Sequence, residues 1–178
     1  VEDAYGAVAD PEGRPFYPHG FALARAADAE TAKAVRDRLV SGMQRGETTE
    51  DVSRALADEW DWPASYARNV TRTTYNTATT AGRFVEAQRV AAVGIPVGFK
   101  YQTAGDSNVR PGHAALDGLV ARVDDVFWKN WSPPLSWNCR CVVVPVFGDE
   151  VPYGFVTVPS GASKDPGFGT RADLRAYG

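Results

Sequence analysis

The chain holds only two cysteines, one residue apart, in Trp137-Asn138-Cys139-Arg140-Cys141, just before an apolar, β-branched run. Thiols at i and i+2 of an extended segment point to one face. The fold must therefore turn that face toward a metal, a histidine or an apolar core. The surrounding stretch, Val97–Val146, also carries Arg110-Pro111-Gly112-His113, Asp117-Gly118, three of the five tryptophans and the only Pro-Pro, Pro133-Pro134.

The rest of the chain sets the frame. With 178 residues, 44% of them hydrophobic and 23% charged, it fits one globular domain with an appended arm. No apolar run approaches the roughly 20 residues a membrane span needs. The net charge of −3 and pI near 5.4 argue against a protein that coats DNA, so nucleic-acid contact is not indicated by charge. The opening VEDAYGAVAD has neither the basic nor the apolar region of a secretory signal, and no initiator Met. Two cysteines this close make no secreted disulfide framework, which points to a reducing compartment. A bridge within Cys-x-Cys is not expected, because an extended segment holds those Cα atoms about 6.5–7 Å apart.

Residues 1–27, broken by prolines and glycines, read as an irregular arm. Asp28 is placed to cap a helix carrying Thr31, Val35, Leu39 and Met43 on one face, with Gly46 as its stop. Thr48 and Asp51 form a capping box for a second helix with Val52, Ala55, Leu56 and Trp60 as its buried stripe. Pro63 opens a third helix that runs to Val93, ahead of Gly94 and Pro96. Six of the ten residues Thr71–Thr80 are threonine. Each costs about 0.5 kcal/mol against alanine in a helix, so tertiary partners must hold this part. Arg72, Asn76, Thr80 and Arg83 share its polar face, and Arg72 and Arg83 are expected to meet the Arg110–Asp117 segment.

From Val97 the period becomes two. Val97, Phe99 and Tyr101 alternate with Gly98, Lys100 and Gln102 as a half-buried strand. A turn at Ala104–Val109, a short helix within Arg110–Leu119 and a brief strand at Leu119–Val123 follow. Next come a loop at Lys129–Ser136, a strand at Asn138–Phe147 and another at Val151–Val158. The fold class is α+β: N-terminal helices, then a small, mainly antiparallel sheet with one short helix between strands. A helical part (28–94) and a sheet part (97–158) form one domain and one cooperative unit, and 159–178 reads as a flexible tail.

Three readings of the rare residues compete. His113, Cys139 and Cys141 supply soft and borderline ligands of the kind zinc takes, with His19 or Asp117 as a fourth. A nucleophilic reading pairs a cysteine with His113 and an orienting Asp117, but no nucleophile-elbow motif precedes either cysteine. In the third reading the residues build the fold. Arg110 and His113 share a helix face and can donate to acids such as Asp106, Asp117, Asp124 or Asp125, and Asp117 or a nearby acid pairs with Arg110 or Arg140. Both thiols then pack, reduced, against the Trp128–Trp137 aromatics. This packing reading is the expectation, with no cofactor and no catalytic residue; zinc is the metal the alternative implies.

Asp106, Arg110, Pro111, His113, Leu116, Asp117, Gly118, Pro133, Pro134, Asn138, Cys139, Arg140 and Cys141, in this order, resemble the phage Mu F-like head-morphogenesis family. The upstream helix with Arg72-Thr73 and the later Asp165-Pro166-Gly167-Phe168-Gly169 are similar to family features as well. The likeness covers roughly Tyr66–Val146. It departs from the pattern where Tyr101 stands in place of a frequent tryptophan and in the shorter N-terminal region. The resemblance implies a non-enzymatic minor head protein of a tailed phage or prophage, acting in procapsid assembly near the portal vertex. It also implies possible ejection with the DNA. Its implied partners are the portal protein and other head proteins, and its implied location is the virion, after assembly in the host cytoplasm. An enzyme or effector module using His113 with Cys139 and Cys141 is the alternative.

Overall fold

The computed structural model describes residues 29–169 and two short strands before them, β1 (Val8–Ala9) and β2 (Pro15–Phe16). The strands pair antiparallel, Val8 with Phe16 and Ala9 with Pro15, within the segment expected to be irregular. The expected cap Asp28 and the candidate ligand His19 lie outside the described residues. The chain divides into two compact units, residues 1–77 and 78–178. The division falls inside the third helix.

In the first unit, α1 (Ala29–Gln44) and α2 (Thr49–Trp60) are joined by a turn in which Gly46 takes φ +69°. Thr48 caps α2 by accepting from the Asp51 N–H at 3.1 Å, while its hydroxyl donates to the Asp51 carboxylate at 2.6 Å. That satisfies one of the orphan donors at a helix start. Val35, Leu39, Val52 and Leu56 from these helices are buried with Ala67 and Val70 of α3 (Ala64–Ala92). Each large apolar side chain buried this way contributes about 1.5–3 kcal/mol, more than each threonine in α3 costs. Thr71, Thr73 and Thr74 are themselves buried, as is Thr80 in the part of α3 that belongs to the second unit. Thr71 and Thr77 settle their hydroxyls on the carbonyls of Ala67 and Thr73, both at 2.9 Å.

The second unit is a three-stranded antiparallel sheet in the order β4-β3-β5, from β3 (Val97–Gln102), β4 (Val120–Arg122) and β5 (Val142–Phe147). The fold class is thus α+β, as expected. Val97, Phe99 and Tyr101 face the core. At Gly98 a Cβ would sit 2.7 Å from the Ala121 carbonyl oxygen of β4, so a side chain there would push the strands apart. The short helix α4 (Pro111–Ala114) lies between β3 and β4, and a further turn of helix, α5 (Trp128–Trp131), between β4 and β5. Phe84, Phe99, Tyr101, Phe127 and Trp128 form the centre of this core, with Phe84 and Phe99 centroids 4.5 Å apart. The lone proline of β5, Pro145, is accommodated because β5 is an edge strand.

Three expectations need correction. The Lys129–Ser136 loop begins as helix α5, closed by the Ser132 hydroxyl donating to the Trp128 carbonyl at 2.7 Å. The strand expected from Asn138 starts at Val142. Gln102, the last residue of β3, pairs with Val142, which leaves 138–141 no ladder partner, and Asn138 is left-handed at φ 59°. Val151–Val158 is not a strand. A 3-10 turn at Gly148–Glu150 leads the chain away from the sheet, Pro152 has no N–H to give, and the Val156 N–H goes to the Asp125 carboxylate at 2.9 Å.

The tail expected from Pro159 is held as far as Gly169. The Asp165 N–H donates to the Leu135 carbonyl at 2.9 Å and the Gly169 N–H to Pro134 at 3.1 Å. The Ser132 N–H in turn donates to Gly169 at 3.2 Å. Phe168 is buried edge-on against Trp137, with centroids 5.3 Å apart.

Candidate functional site

The site is built where α4 meets the segment leading into β5. Pro111 opens α4, where a missing N–H leaves nothing unpaired. The N–H groups of His113 and Ala114 both donate to the Arg110 carbonyl at 2.9 Å, which rolls the His113 ring inward to 4% exposure. On the other side the buried Pro133-Pro134 pair and the left-handed Asn138 reverse the chain. The Cys139 N–H reaches the Ser136 carbonyl at 3.3 Å, and Cys139 and Cys141 are each 2% exposed. Arg110 Nη2 donates to the Trp137 carbonyl at 3.4 Å, linking the two segments.

Both sulfurs lie 3.7 Å from the same nitrogen, His113 Nδ1. This corrects the expectation that the thiols turn toward the tryptophans. Cys139 and Cys141 do belong to the same apolar cluster as Trp128. There, however, Phe84, Phe99, Tyr101 and Phe127 already occupy the faces around Trp128, so the sulfurs turn to the imidazole. No disulfide joins them.

The two thiols share their protons unequally. The Cys141 thiol hydrogen-bonds to the Cys139 sulfur and holds Cys139 well below the ordinary thiol range; His113 adds to this against the opposing effect of burial. Cys141 is pushed up, first as the partner that keeps the proton and then by burial. Tyr101, fully buried on β3, has its hydroxyl raised well above 10, by burial first and then by the charge of Cys141 and Cys139. Its hydroxyl interacts with the Cys141 sulfur but makes no hydrogen bond of regular geometry. Sequence reasoning missed Tyr101 as part of the site. Its signal was the period-two pattern of β3, which turns a phenol inward where it needs a polar neighbour.

The remaining motif residues brace this centre. Arg140 points outward and grips Asp106 with two parallel hydrogen bonds of 2.6 Å. Asp117, the acid named in the expectation, instead accepts from the Thr103 N–H at 2.7 Å and the Thr103 hydroxyl at 2.9 Å. Gly118, at φ +78°, donates its N–H to the Tyr101 carbonyl at 2.8 Å. Arg83 donates to the Val143 carbonyl of β5 at 2.6 Å, so its contact goes to the sheet edge, not to Arg110–Asp117. Arg72 is half-buried on α3 in the first unit.

His113, Cys139 and Cys141 are the residues here that could hold a metal, with donor atoms all within 4.8 Å of one another. Asp117 is not part of that set among the described residues. Beside the three donors lies a recess of about 20 Å³, lined also by Asn108, Arg110 and Arg140. A larger surface groove of about 360 Å³, near Ile95, Val97, Arg122 and Asp124, includes none of the motif residues. Among the described residues no helix is long and apolar enough to cross a membrane.

The chain is 27% identical to the putative capsid assembly protein F of Escherichia phage Mu over 161 residues, covering 78% of this chain and 35% of that protein. It is 38% identical to the Mu-like prophage FluMu F protein of Haemophilus influenzae over 76 residues, covering 43% of this chain and 18% of that protein. The chain therefore spans about a third or less of the length of these relatives. No solved structure matches it. The family model of the phage Mu protein F like proteins matches residues 33–144, which takes in every motif residue from Arg72 through Cys141. By that match, over the helices and the centre they lead to, the chain belongs to the phage Mu protein F like family.

Proposed function

We propose that the chain serves in phage head assembly as a non-enzymatic minor head component of a tailed phage or prophage. It works near the portal vertex, with the portal protein and other head proteins as partners, and it leaves with the DNA. It is assembled in the host cytoplasm and resides in the virion. The relative in phage Mu carries the name of a putative capsid assembly protein, which supports the assembly role. The observation that carries the non-enzymatic part is the burial of His113, Cys139 and Cys141 beside a recess of about 20 Å³. Such a recess has room for about one water molecule, not for a substrate. A thiol nucleophile needs an approach path for the reacting group, so the close Cys–His contact alone does not favour an enzyme.

The test is to tag the chain in its phage and separate procapsids, portal complexes and free protein by sedimentation. A few copies per head, lost when the portal gene is deleted, are expected. Heads that assemble and package normally without the chain, or a chain that never co-sediments with particles, would overturn the proposal.

A further inference from the structure

We propose that His113 Nδ1 and the sulfurs of Cys139 and Cys141 bind one structural Zn²⁺, with a water in the adjoining recess as fourth ligand. The first support is spacing. Tetrahedral zinc, with bonds of about 2.3 Å to sulfur and 2.0–2.1 Å to nitrogen, sets its sulfur and nitrogen ligands about 3.6 Å apart. The two observed separations are 3.7 Å.

The second support is the convergence on one nitrogen. An imidazole Nδ1 has a single in-plane site, either a lone pair or a hydrogen. Two sulfurs at equal distance from it fit either a three-centre hydrogen bond or a shared ion, and the metal titration below separates the two. A common centre between the three atoms accounts for both distances at once.

Charge and surroundings agree. Two thiolates and a neutral imidazole around Zn²⁺ sum to zero, so the buried centre carries no net charge. Binding needs both sulfurs as thiolates, so it displaces to solvent the proton that Cys141 holds. The Tyr101 hydroxyl, buried and without a regular hydrogen bond beside Cys141, is placed to donate to that thiolate, as outer groups around metal ligands do. The recess of about 20 Å³ exceeds the 10–15 Å³ that one water requires. Three protein ligands and a water also describe many catalytic zinc sites. Here the recess admits the water and no larger group, so the ion's role is to tie α4 to the start of β5 across 26 and 28 residues of chain.

The full chain, grown with zinc and purified without chelator, is to be assayed for metal by elemental analysis. The metal-free form is then titrated with Zn²⁺ and with Co²⁺. One zinc per chain is expected, with a rise in melting temperature of about 5–10 °C at free zinc a hundredfold above the dissociation constant. Cobalt should show the intense visible bands of a tetrahedral site and thiolate-to-metal charge transfer. Cys139→Ser and Cys141→Ser should each lose the metal, and Glu86→Gln, an exposed change outside the site, should keep it. Because a cysteine variant could simply misfold, the cobalt titration of the unaltered chain decides. A hydrated octahedral spectrum, or a melting temperature indifferent to zinc and chelator, overturns the proposal.

Discussion

Arg140 and Asp106 form a two-pronged ion pair across 34 residues, Nη1 to Oδ2 and Nη2 to Oδ1, each 2.6 Å. The Arg140 guanidinium is the main reason the Asp106 carboxyl titrates below its ordinary range. The same carboxylate also accepts the Asn108 N–H at 3.0 Å, which shapes the turn after β3. These two jobs are separable. Asp106→Asn keeps an oxygen for the turn and loses the ion pair, whereas Asp106→Ala loses both. Exposed pairs contribute little, so Asp106→Asn and Arg140→Ala should both leave the melting temperature within about 2 °C of the parent. Asp106→Ala should melt below both; equal melting of all three variants would show that the turn contact contributes nothing.

Trp128 is the hub of the second unit. It is 1% exposed, meets Phe84, Phe99 and Phe127 edge-on and Tyr101 face to face, and donates its indole N–H to the Arg122 carbonyl at 2.8 Å. Trp128→Ala should cost about 3–5 kcal/mol in denaturant unfolding. Trp128→Phe, which keeps most of the apolar volume but abandons the Arg122 carbonyl, should cost less. A cost below about 1 kcal/mol for the alanine variant would mean that the core closes over the gap.

The parts of the fold legible in the sequence are those decided within a few residues. The Thr48–Asp51 cap, the stops at Gly46 and Gly94 and the alternation of Val97, Phe99 and Tyr101 all depend on local geometry. The parts that were not legible depend on partners far along the chain. Val151–Val158 has strand-like composition, but the Asp125 carboxylate, 31 residues away, takes the Val156 N–H. The sulfurs of Cys139 and Cys141 were correctly expected on one side. Which neighbour that side would meet turned on how α4 rolls His113 inward. Tail residues 165–169 look unstructured by composition, yet their backbone bonds run to Ser132, Pro134 and Leu135. An acid partner for Arg140 was legible as a type of contact; the choice of Asp106 over Asp117 depended on the turn that places Asp106.

Gly112 tests that docking. A Cβ on Gly112 would run into the Ser163 hydroxyl and come within 2.8 Å of the Ser163 backbone N, which itself donates to the Gly112 carbonyl at 3.2 Å. In a free helix Gly→Ala would stabilise by about 0.5–1 kcal/mol. Here overpacking should prevail, so Gly112→Ala is expected to destabilise by about 1–3 kcal/mol and to loosen residues 159–169. Limited proteolysis should cut that segment faster in Gly112→Ala than in the parent, while Ser163→Ala remains protected. A more stable and equally protected Gly112→Ala would show that the segment does not sit on α4.

Asp117 gives the pH dependence its sign. Its Oδ1 accepts the Thr103 N–H and hydroxyl, and these bonds, the backbone one first, hold the carboxyl below its ordinary value. A carboxyl depressed in the folded state stabilises fully above its unfolded pKa, about 3.9 for aspartate. That contribution is lost as the pH falls through the lower folded value. Because Asp117 is exposed, solvent screening keeps the effect small. Asp117→Asn can still accept the Thr103 N–H but carries no charge. It should therefore melt slightly below the parent at pH 7, with the difference shrinking as both are taken below pH 4. Thr103→Val, which removes the hydroxyl and leaves the N–H, should bring the acid-induced loss in to higher pH, because the carboxyl is then less depressed. Thermal melts of the three proteins between pH 7 and pH 3 decide the matter: a parent–Asp117→Asn gap that stays constant into acid would assign the stabilisation to hydrogen-bond geometry, not to ionisation.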